Sequence, residues 1–234
     1  MQEPRLGLLF GRGRKNSSME RVWCVLIGYV FGLFQTGYIY GKINHIDIRQ
    51  YGSGNAGTTN AIRVMGVKAG AITLFGDCAK ALAACVLARV LFKGGDIPAG
   101  LLALYAGFGV VLGHNYPFYL KFRGGKGIAA TFGILLAFDY RVAIVLIAVF
   151  AVTLLISRYV SVSSLLMMFC FFVIMVWLGV KGSIFESGTI YVYEADILAF
   201  LLAVIATVRH RQNIVRLQNG NENKFTLKKK KAVE

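Results

Sequence analysis

Charge is scarce in this chain. Asp, Glu, Lys and Arg make up 16% of its 234 residues, while hydrophobic residues make up 56%. Soluble domains average about 25% charged and about 45–50% apolar residues, so an ordinary soluble globule is excluded. Disorder is excluded by the same figures, because a disordered chain needs low hydrophobicity. Acids are scarcest, with 11 Asp+Glu. Asp47, Asp77, Asp96 and Asp139 are dispersed, which leaves no carboxylate cluster for a hard cation. The four cysteines show no CxxC and no pairing with histidine, so neither a metal site nor a disulfide framework is expected. No internal repeat is evident.

What is present is long apolar runs. A spanning helix needs about 17–25 mostly apolar residues. Such runs occupy 22–40, 69–92, 97–113, 164–180 and 196–208, and a longer one covers 128–156. The last is divided at Asp139-Tyr140-Arg141, because one continuous helix would bury two charges at membrane depth. The expected architecture is an all-α integral membrane protein of seven transmembrane helices, with short re-entrant or Gly-rich loops on the cytoplasmic face. Residues 1–21 read as a polar, basic N-terminal extension, 22–216 as the membrane domain and 217–234 as a basic, solvated tail. Met19 precedes the first run, so 1–18 are expected to be a start-site extension.

The net charge is +15. Basic loops beside apolar spans face anionic lipid and follow the positive-inside bias, so the partner is membrane lipid and not nucleic acid. Three polar segments, 52–63, 113–127 and 209–216, follow the first, third and seventh spans. Odd-numbered ends share one face of a membrane. These segments, their flanks, Arg158 and the tail hold 16 of the 26 basic residues, which marks that face as cytoplasmic.

The segments carry chemistry. Gly124-Gly125-Lys126-Gly127 before an apolar helix reads as a phosphate cradle, from backbone N–H groups, a helix N-terminus and a cation. A flexible turn with a snorkelling lysine is the competing reading. It is no nucleotide loop, since Leu120 and Gly127 break the GxxxxGK[ST] pattern. Ser53 and Asn55 with Thr58, Thr59, Asn60 and Arg63 form a second polar nest, suited to an anion and a polyol, or else to capping a helix. His114 and His210 lie in these segments and are candidates for acid–base work. Asp77 and Lys80, three residues apart on one run, read as an ion pair within a membrane helix.

The strings SGNAGTTNAIR, GHNYPFYLKFRGGKGIA and RHRQNIVRL closely resemble the three signature motifs of the bacterial acyl-phosphate:glycerol-3-phosphate acyltransferases, the PlsY family. Asp47-Ile48-Arg49 and Arg158-Tyr159-Val160-Ser161 fit as well, and the resemblance runs from about Val22 to Lys224. The chain departs from it at Phe34-Gln35-Thr36-Gly37-Tyr38, where members usually carry a Ser-Ile-Pro-like segment. The resemblance implies transfer of a fatty acyl group from acyl phosphate to the sn-1 hydroxyl of glycerol-3-phosphate, giving lysophosphatidic acid and phosphate, at a bacterial inner membrane. It implies His210, Asn213 and His114 as catalytic. It implies Ser53, Asn55, Thr59, Asn60, Arg63, Gly124, Gly125, Lys126, Gly127, Ser161 and Arg209 as substrate-binding. No cofactor or metal is expected. Partners would be the two substrates, membrane lipid and an enzyme that makes acyl phosphate. A phosphate-ester transporter is the alternative, though it would be expected to show an internal repeat. A soluble-type acyltransferase would carry HxxxxD, and Gln50, Tyr119 and Val215 stand where its aspartate would follow the three histidines.

Overall fold

The computed structural model describes residues 17–185 and 189–226. Most of the expected N-terminal extension and the Lys-rich end of the tail lie outside them. The described residues form ten α-helices: α1 Ser17–Gly32, α2 Thr36–Ile43, α3 Thr58–Met65, α4 Val67–Leu91, α5 Ala99–Asn115, α6 Ile128–Phe138, α7 Tyr140–Ser157, α8 Val160–Val180, α9 Ile190–Arg209 and α10 Arg211–Gln218. Five segments are long and apolar enough to cross a membrane: Ser18–Ile43 (α1 with α2), α4, α7, α8 and α9. α5 with 17 residues and α6 with 11 are shorter.

α5 is the centre of the bundle. Leu101, Leu102, Leu104 and Ala106 are fully buried, and the helix packs against α1, α4, α6 and α9. Its contact with α1 is made backbone to backbone. A Cβ at Gly28 or Gly32 would collide with the carbonyls of Ala106 or Val110, and one at Gly109 or Gly113 with those of Val25 or Tyr29. Helices that gain little from apolar association in lipid pack closely through such small residues.

The structure departs from the sequence expectation in places that have physical causes. The first run is not one helix but two, broken at 33–35. The carbonyls freed there are taken up by side chains. Lys80 Nζ donates to Phe34 O at 2.5 Å and lies 3.4 Å from Gly32 O, and Gln35 Nε2 donates to Gly32 O at 3.1 Å. Without such partners a break at this depth would be costly. α9 begins six residues before its expected start at Asp196. The charge that argues against this, Glu194, is paired with Arg21 at 2.7 Å and accepts from Tyr105 Oη at 2.8 Å. The division at Asp139 is present, with Asp139 capping α7 by accepting from Arg141 N at 2.8 Å. The polar segments are not loops alone, because α3 and α10 begin within them. The stretch 219–226, assigned to the tail by sequence, returns to the bundle, where Phe225 N donates to Arg158 O at 2.7 Å.

The α1–α5 contact yields a stability prediction. Gly109→Ala should cost about 1–3 kcal/mol by forcing the two backbones apart, read as a lowered Tm of the purified protein in detergent. Leu155→Ala, on a side chain 80% exposed on the bundle surface, should leave the Tm nearly unchanged.

Candidate functional site

One cavity of about 520 Å³ opens at the end of the bundle where α5, α7 and α9 finish and α6 and α8 begin. Its polar part is built by first turns of helices. Thr58 and Thr59 start α3, Ile128 and Ala129 start α6, Ser161 lies in the first turn of α8, and Asn213 in that of α10; all line the cavity. Helix N-termini carry unpaired N–H groups and partial positive charge. Arg63, Lys126, Arg216 and His210 line the same space, against Glu222 and Asp77. The remainder is apolar, with Leu74, Phe75 and Cys78 from α4, Phe132 and Leu136 from α6, and Ile147, Phe150 and Leu154 from α7. Phe132 and Phe150 meet edge to face at 5.4 Å. The cavity therefore suits a molecule that is anionic at one end and greasy at the other.

A hydrogen-bond chain crosses the polar end. Lys126 Nζ donates to Asn213 Oδ1 at 2.5 Å, and Asn213 Nδ2 donates to Glu222 Oε1 at 2.7 Å. Glu222 also accepts from Ser161 Oγ at 3.2 Å and from Arg216 Nε at 2.7 Å. Burial alone would raise the Glu222 carboxyl, but these bonds and the Arg216 charge hold it below the usual range. Lys126 is pushed down to about 8 by burial, with Arg216, Arg209 and Arg63 adding like charge against the pull of Glu222. Arg63 is lowered by burial. His210 is lowered to about 4 by burial and by the Lys126 charge, so its ring is neutral at pH 7. Its Nδ1 lies 2.7 Å from Ala206 O. A carbonyl can only accept, so Nδ1 carries the hydrogen and Nε2 keeps its lone pair.

Of the residues expected from sequence, His114, His210, Asn213, Ser53, Asn55, Thr59, Asn60, Arg63, Lys126, Gly127 and Ser161 line the cavity, and Gly124, Gly125 and Arg209 do not. The glycine cradle needs correction. Gly124 N donates to Asn115 O at 3.2 Å and Gly125 N to His114 O at 3.0 Å, so neither N–H is free for an anion. Their carbonyls are held by Arg209, whose NH2 group lies 2.8 Å from both. Arg209 thus braces the loop that presents Lys126, and its guanidinium stacks over Tyr116. Asn60 also serves its own segment. It accepts from Ser53 N at 2.9 Å and donates to Ile48 O and Tyr51 O. Asn55 accepts from Gly57 N at 2.9 Å. Helix α3 starts with Gly57 as its N-cap and no side-chain cap, so neither Asn nor Thr fills that place.

Sequence reasoning missed Glu222. It lies in a stretch read as solvated tail, and its only local signal is a single acid six residues after Arg216. The buried, unpartnered hydroxyl of Thr58 was seen in the polar nest but not singled out.

A profile of the glycerol-3-phosphate acyltransferase family matches residues 22–220. The glycerol-3-phosphate acyltransferase of Alkaliphilus metalliredigens is 40% identical over 208 residues, covering 88% of this chain and 97% of its own length. That of Halalkalibacterium halodurans is 41% identical over 216 residues, covering 90% and 98%. Among solved structures, the glycerol 3-phosphate form of PlsY (YgiH), an integral membrane glycerol 3-phosphate acyltransferase, aligns with a TM-score of 0.75 at 30% identity, covering 88% of this chain and 96% of that one. Its lysophosphatidic acid form aligns with a TM-score of 0.73.

The cationic end should bind a tetrahedral dianion, and sulfate is a suitable probe because it does not titrate near neutrality. Arg63→Ala and Lys126→Ala should each weaken sulfate binding at least about tenfold, near 1.4 kcal/mol, measured calorimetrically. Lys126 is charged below its pKa of about 8, so affinity should fall as pH rises through that value. Lys126→Arg should flatten the fall. Unchanged affinity in both alanine variants would return these cations to a structural role.

Proposed function

The chain belongs to the glycerol-3-phosphate acyltransferase family, and we propose that its cavity joins the acyl group of an acyl phosphate to the sn-1 hydroxyl of glycerol-3-phosphate. It is a membrane enzyme that acylates glycerol-3-phosphate, an early step of phospholipid synthesis. The observation that carries the mechanism is the joining, in one cavity, of a cationic end and an apolar groove.

α6 supports the assignment of the donor. Gly127, Ile128 and Ala129 at its start and Phe132 and Leu136 further along line the same cavity, over about 12 Å of helix. The phosphate of the donor sits at Lys126 and the α6 N-terminus, and the chain runs past Phe132 and Phe150 toward Leu136. The phosphate of glycerol-3-phosphate sits at Arg63, Arg216 and the start of α3, with Ser53, Asn55, Thr58 and Thr59 beside its hydroxyls. Ser161, Asn213 and Glu222 order the space between.

The hydroxyl oxygen attacks the acyl carbon directly. The new ester C–O bond forms, the C–O bond to phosphate breaks, and inorganic phosphate departs. The hydroxyl proton passes to the bare Nε2 of His210 and from there to the leaving phosphate. Opposite charge favours the protonated ring, so a dianion bound beside His210 makes Nε2 a better base than it is in the free site. Acyl phosphate is already activated, so positioning and charge stabilisation supply most of the acceleration. No cofactor or metal enters the scheme.

We take α1 with α2, then α4, α5, α6, α7, α8 and α9, as seven crossings of a bacterial inner membrane, with the cavity facing the cytoplasm. The membrane domain takes 22–216 as its body, and the start of α1 and the segment to 226 extend it at either end. Acyl phosphate reaches it from the enzyme that makes it.

Two measurements test this reading. Purified protein in EDTA should form lysophosphatidic acid and release phosphate with acyl phosphate but not with acyl-CoA, and inorganic phosphate should compete with the donor. Equal use of acyl-CoA, or abolition by EDTA, would sink the donor assignment. In a cysteine-free background, single cysteines at Lys121 and Gln212, both exposed, should react with an impermeant reagent from one side of the membrane and a cysteine at Lys93 from the other. Reaction of Lys121 and Gln212 from opposite sides would contradict the topology.

A further inference from the structure

The two histidines of the cavity are held by opposite kinds of partner. His210 Nδ1 faces a carbonyl at 2.7 Å. His114 Nδ1 faces the Lys80 ammonium at 2.9 Å. Lys80 is 7% exposed and Asp77 is 1% exposed, deep among α1, α4 and α5. The ammonium has three hydrogens and three short contacts: Phe34 O at 2.5 Å, Asp77 Oδ1 at 2.8 Å and His114 Nδ1 at 2.9 Å. Gly32 O, at 3.4 Å, shares one of them. The carbonyl and the carboxylate can only accept, so Lys80 donates throughout and its third hydrogen points at the imidazole. A hydrogen on Nδ1 would set N–H against N–H. His114 is therefore neutral with Nδ1 bare and Nε2 protonated. Thr36 Oγ1 donates to Asp77 Oδ1 at 3.0 Å and helps the carboxylate fix Lys80. The Nε2 edge of the ring packs beside Gly125, where a Cβ would collide with it, so the loop leaves that edge clear of any side chain.

We propose that Lys80 is a positioning residue, which holds His114 as a hydrogen-bond donor to the oxygen of the substrate that becomes anionic during acyl transfer. This inference rests on the acyltransferase reading. His114 lines the cavity. On one side it meets the loop that carries Lys126, through Gly125. On the other it is tied by Lys80 to the α4 turn whose Leu74, Phe75 and Cys78 line the apolar groove. That is where the acyl carbonyl joins the phosphate of the donor. A fixed N–H aimed at developing charge stabilises the transition state more than the ground state. The partner on the far nitrogen decides the tautomer. His210 and His114 are then set to complementary tasks, one to accept the hydroxyl proton and one to donate to the oxyanion. The ion pair inside the membrane then serves more than α4 alone.

The test reads the ring before it reads the rate. Protein labelled with [15N]histidine, with His114 assigned by the loss of its signals in His114→Gln, should show His114 protonated on Nε2 only at neutral pH and His210 on Nδ1 only. This spectrum is taken without substrate, so it stands or falls apart from the acyltransferase assay. Lys80→Met should release the tautomer to a mixture and lower kcat at least about tenfold, while KM for glycerol-3-phosphate stays within about twofold. A His114 protonated on Nδ1 or on both nitrogens in the wild type would overturn the proposal, and so would Lys80→Met with unchanged tautomer and kcat. Should Lys80→Met fail to fold, His114→Gln, which keeps an N–H near the Nε2 position, should retain at least about tenfold more kcat than His114→Ala, and equal losses would defeat the assignment.

Discussion

Irregular backbone at membrane depth survives only where every freed carbonyl and N–H finds a partner. At the end of the bundle that holds the cavity, three side chains meet the requirement. Lys80 takes the carbonyl of Phe34 at the break between α1 and α2, Gln35 joins Gly32 O to His114 O at 3.1 and 3.0 Å, and Arg209 takes the carbonyls of Gly124 and Gly125. His114 O is shared by Gln35 Nε2 and Gly125 N. The break in the first span and the loop before α6 are thereby one unit. Lys126 is presented at a fixed place because its neighbours have used up their hydrogen bonds elsewhere.

This division of labour explains why a motif is a poor guide to contacts. Gly124 and Gly125 have the composition of an anion cradle, yet their N–H groups are turned inward to α5 and their lack of side chains serves a different end. Gly125 makes room for the His114 ring. The positive potential of the cavity comes instead from Arg63, Lys126 and Arg216 and from the starts of α3, α6, α8 and α10.

Apolar run length and the cost of buried charge were enough to place α4, α5, α7 and α8 and the division at Asp139. The helical fold and the gathering of the three polar segments at one end were legible for that reason. What was not legible depends on partners distant in sequence. The first turns of α9 carry Glu194, whose charge is answered by Arg21, 173 residues away. The break after Gly32 lies inside a run long enough to span, and the lysine that stabilises it comes from another helix. Glu222 is 61 residues from Ser161, and Arg216, six residues before it, is all that marks it locally. Pattern along the chain reports what each residue prefers and cannot report which remote group satisfies it.

The apolar half of the cavity has a consequence for how the enzyme meets its substrates. Phe75, Leu136 and Ile147 line the cavity and are also 71%, 40% and 39% exposed on the outer surface of the bundle, so the groove opens sideways onto the surrounding hydrocarbon. A tailed molecule enters and leaves within the plane of the bilayer, while glycerol-3-phosphate arrives from water. The two substrates are thus measured on different scales, one in moles per litre and the other as a mole fraction of the lipid film. Adding inert lipid or detergent thins the second at constant bulk concentration. The enzyme works at the meeting of a solution and a two-dimensional fluid, and the composition of that fluid is one of its reactant variables.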